Sequence, residues 1–288
     1  MPELPEVETI VRSLRNATGL ELTPGQGLNE RPGVMGRMIA AATVNWARSV
    51  AVPSVPEFLT RISHQTILEV SRRGKFLQIR LDKDWLLIHL RMSGELRVEP
   101  DSEKFSQPHD RVIIHFTDGI RLVFNDPRKF GRIWLVDDPQ RILGVLGPEP
   151  FSTDLTDATF YEMLQKHKTA VKVLLMNQRF ISGLGNIYTD EALHIARIHP
   201  LRKANSCSPT DAQRLLRAIR DVLQEGIERN GASIDWVYRG GDFQNYFKVY
   251  HRNGQACTSC GAQVDKIMVG QRSTHFCPVC QVIDQTKL

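Results

Sequence analysis

"KFLQIRLDKDWLLIHLRM", residues 75–92, decides what kind of chain this is. Two apolar, partly alternating runs flank the polar Asp82-Lys83-Asp84, the pattern of two strands folded back on each other. "RVIIHFTDGIRLVF", residues 111–124, repeats it and turns at Asp118-Gly119. Hairpins in series predict a sandwich or a barrel. Ahead of them, "MPELPEVETI" (1–10) opens a run in which Leu4, Val7, Ile10, Val11 and Leu14 keep helical spacing. Proline suits a first helical turn, and Glu3, Glu6 and Glu8 suit the positive end of the helix dipole, so an amphipathic helix is expected almost from residue one. Residues 19–33, "GLELTPGQGLNERPG", hold no period and predict a surface loop.

Beyond residue 146 the pattern changes. "LGPEPFSTD" (146–154) reads as a linker, and from Leu155 to Asn230 the spacing is helical. Phe160, Met163 and Leu164 lead into Val171, Leu174 and Leu175, then "ISGLGN" breaks the run and "IYTDEALHIA" predicts a short helix ended by Pro200. "SPTD" (208–211) reads as a cap with proline at the first helical position of a long helix through Leu215, Leu216, Ile219, Val222 and Leu223 that stops near Asn230-Gly231.

The 288 residues suffice for two domains and an appended module. Composition is globular, 41% hydrophobic and 24% charged, with no run long enough to span a bilayer and no signal-like start, so cytosolic residence is expected. A net charge of +5 and a pI near 9.0 suit a polyanionic partner. One cysteine, Cys207, stands alone; Cys257, Cys260, Cys277 and Cys280 form C-x2-C-x16-C-x2-C. Four thiolates in paired turns supply a closed tetrahedral set for one structural zinc and leave no position for a catalytic water.

Other stretches carry two readings each. Gly183 and Gly185 allow a tight turn into a helix whose free N–H groups could meet a phosphate, while Asn186 could simply be its N-cap. Arg72, Arg73 and Lys75, with Arg128, Lys129 and Arg132, could track phosphates, and Phe130 could stack on bases or fill the core. Met92 reads as core filler or as a wedge.

Taken in order, "MPELPEVET" (1–9), "RRGKFL" (72–77), "HLRMSG" (89–94), "DPRKFG" (126–131), "GLGNIYTDEAL" (183–193) and the cysteine tail resemble the bacterial formamidopyrimidine-DNA glycosylases of the Fpg/Nei family over nearly the whole chain. The resemblance implies an α+β fold. An N-terminal β-sandwich with a leading helix (1–146), a linker (147–154), a helix-two-turn-helix domain (155–245) and a zinc finger (246–288) would hold damaged duplex DNA in the cleft between domains. It further implies a cytosolic monomer that is no membrane protein, with zinc but no catalytic cofactor. Carried over by residue, Pro2 would be the Schiff-base nucleophile once Met1 is removed, Glu3 the general acid, Lys75 the proton donor for β-elimination, and Arg272 a phosphate ligand assisting δ-elimination. His89, His109, Lys168, Lys172 and Asn186 would contact DNA, and Met92, Arg128 and Phe130 would fill the gap left by an extruded base.

Three stretches depart from the family pattern. Residues 19–33 look inserted, "HDRV" puts Arg111 where a histidine is usual, and "GASIDWVYRGGDFQNYFKVY" (231–250) is shorter than the segment that closes over a flipped oxidised guanine. Oxidised pyrimidines are the alternative substrate. A non-catalytic zinc-ribbon DNA binder is the alternative of another class, and Pro2, Glu3 and Lys75 together argue against it.

Overall fold

A computed structural model describes residues 1–15, 33–233 and 240–283. The chain divides into two units, one built from Met1–Gly144 with Asn230–Gly241, the other from Val145–Arg229 with Asp242–Leu288. Apart from Gly33, the stretch 19–33 lies outside the described residues.

In the first unit the leading period becomes α1 (Leu4–Arg15). The quoted hairpin becomes β4 (Phe76–Leu81) and β5 (Trp85–His89), which belong with β2 (Val50–Val52), β3 (Ile67–Arg73) and β9 (Arg132–Val136) to a five-stranded sheet in the order β2-β9-β5-β4-β3. Only β2 runs parallel to its neighbour. The second hairpin becomes β7 (Asp110–Phe116) and β8 (Ile120–Asn125) in a four-stranded antiparallel sheet, where β1 (Ile39–Val44) and β6 (Glu95–Pro100) complete the order β1-β7-β8-β6.

Alternation does the rest. Leu77, Ile79, Leu86, Ile88, Ile133 and Leu135 from one sheet share a core with Leu96, Val98, Val112, Ile114, Leu122 and Phe124 from the other. Val7, Ile10, Val11 and Leu14 of α1 join it, as do Phe58 and Ile62 of α2 (Val55–Ile62). Each such side chain contributes about 1.5–3 kcal/mol by leaving water. The open choice between sandwich and barrel is thereby resolved as a sandwich.

After the short α3 (Gln140–Leu143), the second unit holds α4 (Asp157–Gln165), α5 (Val171–Leu175), α6 (Asn186–Ile195) and the 20-residue α7 (Pro209–Glu228). Ser208 caps α7 in a reciprocal box with Asp211, and Leu215, Leu216, Ile219, Val222 and Leu223 are buried as their spacing predicts. α6 covers the expected "IYTDEALHIA" helix to within a residue at each end, with the Ala196 N–H closing on the Ala192 and His194 carbonyls. The cysteine tail folds around a hairpin, β10 (Asp265–Val269) and β11 (Arg272–Phe276). Among the described residues no helix is long and apolar enough to cross a membrane.

Candidate active site and nucleic-acid interface

Strand register gathers the first unit's candidates at one end of the sandwich. Across the five-stranded sheet Arg73, Phe76, His89 and Arg132 lie side by side, which places the Gly74-Lys75 turn, the 90–94 connection and the 126–131 connection together. Across the four-stranded sheet Asp110, Asn125 and Glu95 do the same for His109, Asp126 and Ser93. Gly74, at φ +57°, supplies the left-handed residue that begins this two-residue hairpin turn. Lys75 follows it and is buried.

α1 is aimed at that end. Arg15 donates to the Val70 carbonyl and Glu8 pairs with Arg72 at 2.9 Å, so the helix runs antiparallel to β3 and its N-terminus points towards the Gly74-Lys75 turn. Pro2 and Glu3 are buried there. Glu6 holds the start in place, one oxygen accepting from the Glu3 N–H at 2.7 Å and the other from the Ala232 N–H at 2.8 Å. Gly231, at φ +80°, passes so close to Glu6 that an added Cβ would meet its Oε1 at 2.7 Å. A carboxylate serving two backbone donors in a buried setting is a strong local anchor.

His89 is buried edge-on against Phe76 at 4.6 Å. Burial, with the nearby positive charges of Arg91 and Lys75, lowers its pKa to about 3. Its Nδ1 accepts from the Arg91 N–H at 3.0 Å, so the neutral ring carries its proton on Nε2. The structure therefore gives the site a neutral N–H donor in His89.

Sequence reasoning passed over Asp126, which the structure makes a hub. It is fully buried; Oδ1 accepts from the Ser93 hydroxyl at 2.5 Å and the Arg128 N–H at 3.2 Å, and Oδ2 from the Gly131 N–H at 2.7 Å. The Asp-Pro pair in "DPRKFG" was its only signal, since such pairs open turns in which the carboxylate bonds residues just ahead. Arg111, the departure in "HDRV", donates through Nε to the Asp126 carbonyl at 2.8 Å and reaches His109 Nδ1 at 3.1 Å. It braces the loop from within.

The basic residues of this end have different surroundings. Arg72 pairs with Glu8, and half-exposed Arg132 donates through Nη1 to the carbonyls of Lys129 and Gly131. Arg128 and Lys129 remain exposed, Lys129 over the Trp46 ring at 4.0 Å. Phe130 is 48% exposed beneath the Arg128 guanidinium at 5.1 Å, which removes the reading of it as core. Met92 is half-buried and His109 is exposed.

In the second unit α6 carries a polar stripe at i, i+4 and i+8, half-buried at Asn186 and buried at Asp190 and His194. Asn186 Nδ2 donates to the Ser273 carbonyl at 2.9 Å, Asp190 accepts from the His275 N–H at 2.9 Å, and His194 Nε2 lies 3.4 Å from Cys257 Sγ. Glu191, next in line, accepts from the N–H groups of Lys248, Val249 and Tyr250 at 2.8–2.9 Å, while burial holds its pKa above the ordinary value. α6 thus carries the zinc module. Gly185 is the cap of α6, so the reading of Asn186 as N-cap is corrected.

Lys172 is corrected too. Expected among DNA contacts, it has no exposed surface, and its Nζ bonds Asp190 at 2.5 Å and the Ser273 carbonyl at 3.2 Å. Lys168, four residues earlier, is exposed. Arg272 is exposed beside the turn Gly270-Gln271, whose residues both take positive φ, +55° and +61°, as a tight hairpin of this type demands.

The four sulfurs of Cys257, Cys260, Cys277 and Cys280 lie within 4.8 Å of one another, with pairs at 3.9 and 3.5 Å. Tetrahedral bonds of about 2.3 Å to zinc put sulfurs roughly 3.8 Å apart, so the set fits one structural zinc.

Comparison with known proteins meets this geometry domain by domain. Residues 1–133 match the formamidopyrimidine-DNA glycosylase N-terminal domain, 146–237 its H2TH domain, and 254–282 the zinc finger found in FPG and IleRS. The chain belongs to the formamidopyrimidine-DNA glycosylase family. It is 41% identical over 294 residues to the formamidopyrimidine-DNA glycosylase of Chloroflexus aurantiacus, covering 99% of both chains, and 41% identical over 291 residues to that of Cytobacillus firmus, covering 98% of this chain and 100% of the relative. Among solved structures it is similar to Lactococcus lactis Fpg in complex with DNA containing an abasic site, at a TM-score of 0.86 and 33% identity, and in complex with Fapy-dG DNA, at 0.86 and 34%. Both comparisons cover 98% of this chain and 100% of the other.

Proposed function

We propose that this DNA glycosylase of the family is bifunctional, excising oxidised purines (8-oxoguanine and formamidopyrimidines) from duplex DNA and then cleaving the strand through a Schiff base on Pro2. The carrying observation is that α1 runs antiparallel to β3 with its start pinned by Glu6, aiming Pro2 and Glu3 at the end of the sandwich that holds Lys75 and His89. Relatives solved with abasic and Fapy-dG DNA support the substrate class.

Removal of Met1 leaves Pro2 as a terminal secondary amine. Such amines titrate at roughly 7.7–8.0 against roughly 10.4 for lysine, so a far larger fraction is unprotonated at neutral pH. Its lone pair attacks C1′ as the bond from C1′ to the base breaks, and the sugar opens as Glu3 protonates its ring oxygen. The amine proton is lost and an iminium remains. That positive charge acidifies the C2′ proton, whose removal expels the 3′ phosphate in β-elimination, and a second elimination expels the 5′ phosphate. Lys75 serves the first elimination as proton donor and Arg272 the second as phosphate ligand. His89, His109, Lys168 and Asn186 hold the strand, and Met92, Arg128 and Phe130 occupy the emptied stack. The protein acts as a cytosolic monomer.

The test is covalent trapping. The purified protein is incubated with duplex DNA carrying 8-oxoguanine opposite cytosine, borohydride is added, and a stable adduct is expected with the native protein and a markedly slower one with Pro2→Gly, whose terminal amine is primary. No adduct on that duplex or on abasic DNA leaves a non-catalytic binder; an adduct only with oxidised pyrimidines overturns the substrate; an adduct with Met1 retained overturns the terminal amine.

A further inference from the structure

We infer that Asp126 is a positioning residue that locks the two connections bearing Met92, Arg128 and Phe130 into one unit, so that the three side chains enter the duplex together. The inference rests on the proposed base extrusion.

The connections have separate origins. Residues 90–94 lead from β5 in the five-stranded sheet to β6 in the four-stranded sheet, and residues 126–131 lead back from β8 to β9. Met92 rides on the first, Arg128 and Phe130 on the second. Three of the donors on the Asp126 side chain come from these same two segments: the Ser93 hydroxyl from the first, and the N–H groups of Arg128 and Gly131 from the second. Ser93 sits one residue from Met92, and Gly131 one residue from Phe130. Only an acceptor with two free oxygens and no donor of its own can take all three.

The surroundings leave little play. A Cβ on Gly131 would lie 2.3 Å from the Phe124 ring and 3.2 Å from Asp126 Oδ2, and one on Gly94 would lie 2.6 Å from the Leu90 carbonyl. Arg91 and Lys129 both hold positive φ, +54° and +63°. The Asp126 main chain is fixed as well, its N–H on the His109 carbonyl at 3.0 Å and its carbonyl receiving Arg111. The segments that carry the wedge side chains are therefore fixed at their roots. Unstacking a nucleotide costs a few kcal/mol, and a wedge recovers that only if its parts reach the gap in register.

Two variants separate this from a merely structural role. Ser93→Ala removes only the bond between connections; Asp126→Asn keeps size but faces one backbone N–H with a second donor. The readouts are stopped-flow fluorescence of 2-aminopurine beside 8-oxoguanine in a duplex, which follows extrusion, and borohydride trapping on single-stranded DNA with an abasic site, which needs no wedge. Each variant is expected to slow duplex extrusion at least about tenfold, the worth of one hydrogen bond to a charged group, while single-strand trapping stays at the native rate. The double variant is expected to be no slower than Asp126→Asn, because both act through one carboxylate. Native extrusion rates in Ser93→Ala, or equal losses on both substrates, overturn the inference. A native protein that traps nothing overturns the function beneath it.

Discussion

The three carboxylates of the opening helix have three separate fates, although spacing made them look alike. Glu3 is buried beside Pro2, Glu6 receives two backbone N–H groups, and Glu8 pairs with Arg12 and Arg72. Backbone partners leave no trace in side-chain spacing, so Glu6 could be guessed as an anchor of the helix start while its bond to Ala232 could not. His89 gives the sharpest prediction at this scale. Its folded pKa of about 3 lies below the unfolded value of 6.5, so the unfolded chain binds the extra proton. The stabilising contribution is fully present above pH 6.5 and is lost as pH falls towards 3. One proton per unfolding sets a limiting slope of about 1.4 kcal/mol per pH unit. Urea denaturation between pH 4 and 7 is expected to show a shallower loss of stability in His89→Asn than in the native protein, the asparagine oxygen taking over the Arg91 N–H. Parallel pH curves would show that His89 titrates normally.

Among elements, the two quoted hairpins, α6 and α7 were legible in their extent, whereas α2 and the strands outside those hairpins were not, and in α6 the fate of the polar face stayed hidden. Period-two runs around polar turns located β4, β5, β7 and β8, because alternation is imposed by a sheet with one buried face. The cap and proline located the start of α7 for an equally local reason. The polar face of α6 was hidden because its partners lie far along the chain: Asn186, Asp190 and His194 meet the zinc module and Glu191 holds residues 248–250. Lys172 was misplaced by the same blindness, as a lysine reads as surface until its buried carboxylate is found. Two lysines four residues apart now separate cleanly. Lys172→Met leaves Asp190 buried beside a missing cation and is expected to cost about 3–5 kcal/mol in urea unfolding. Lys168→Met, on an exposed site, is expected to cost less than about 0.5 kcal/mol yet lower the salt dependence of duplex binding by about one counterion. Equal stability losses in the two variants would refute the buried pair.

At the scale of the whole molecule, what the order of motifs made legible was the domain content, and what it left hidden was how each unit holds itself together. The sandwich has a core shared by two sheets and two helices. The cysteine module has Val249, Cys257, Val264 and Cys277, with Ala262 and Cys280 packed against them, so three of its six core residues are zinc ligands. A core of that size cannot offset the conformational entropy of its chain, whereas structural zinc contributes about 10–16 kcal/mol at neutral pH. Zinc therefore decides whether residues 254–282 fold, and removing it should act on one unit only. Chelation is expected to abolish hydrogen-exchange protection at the amides of β10 and β11, and to weaken it in α6 as Asn186 and Asp190 lose Ser273 and His275. Protection in β4 and β5 should stay at its native level. Duplex binding should fall along with the exchange change in β11, since Arg272 rides on that strand. Protected β10 and β11 amides after complete loss of zinc would show that the hairpin is held by its packing on α6 rather than by the metal.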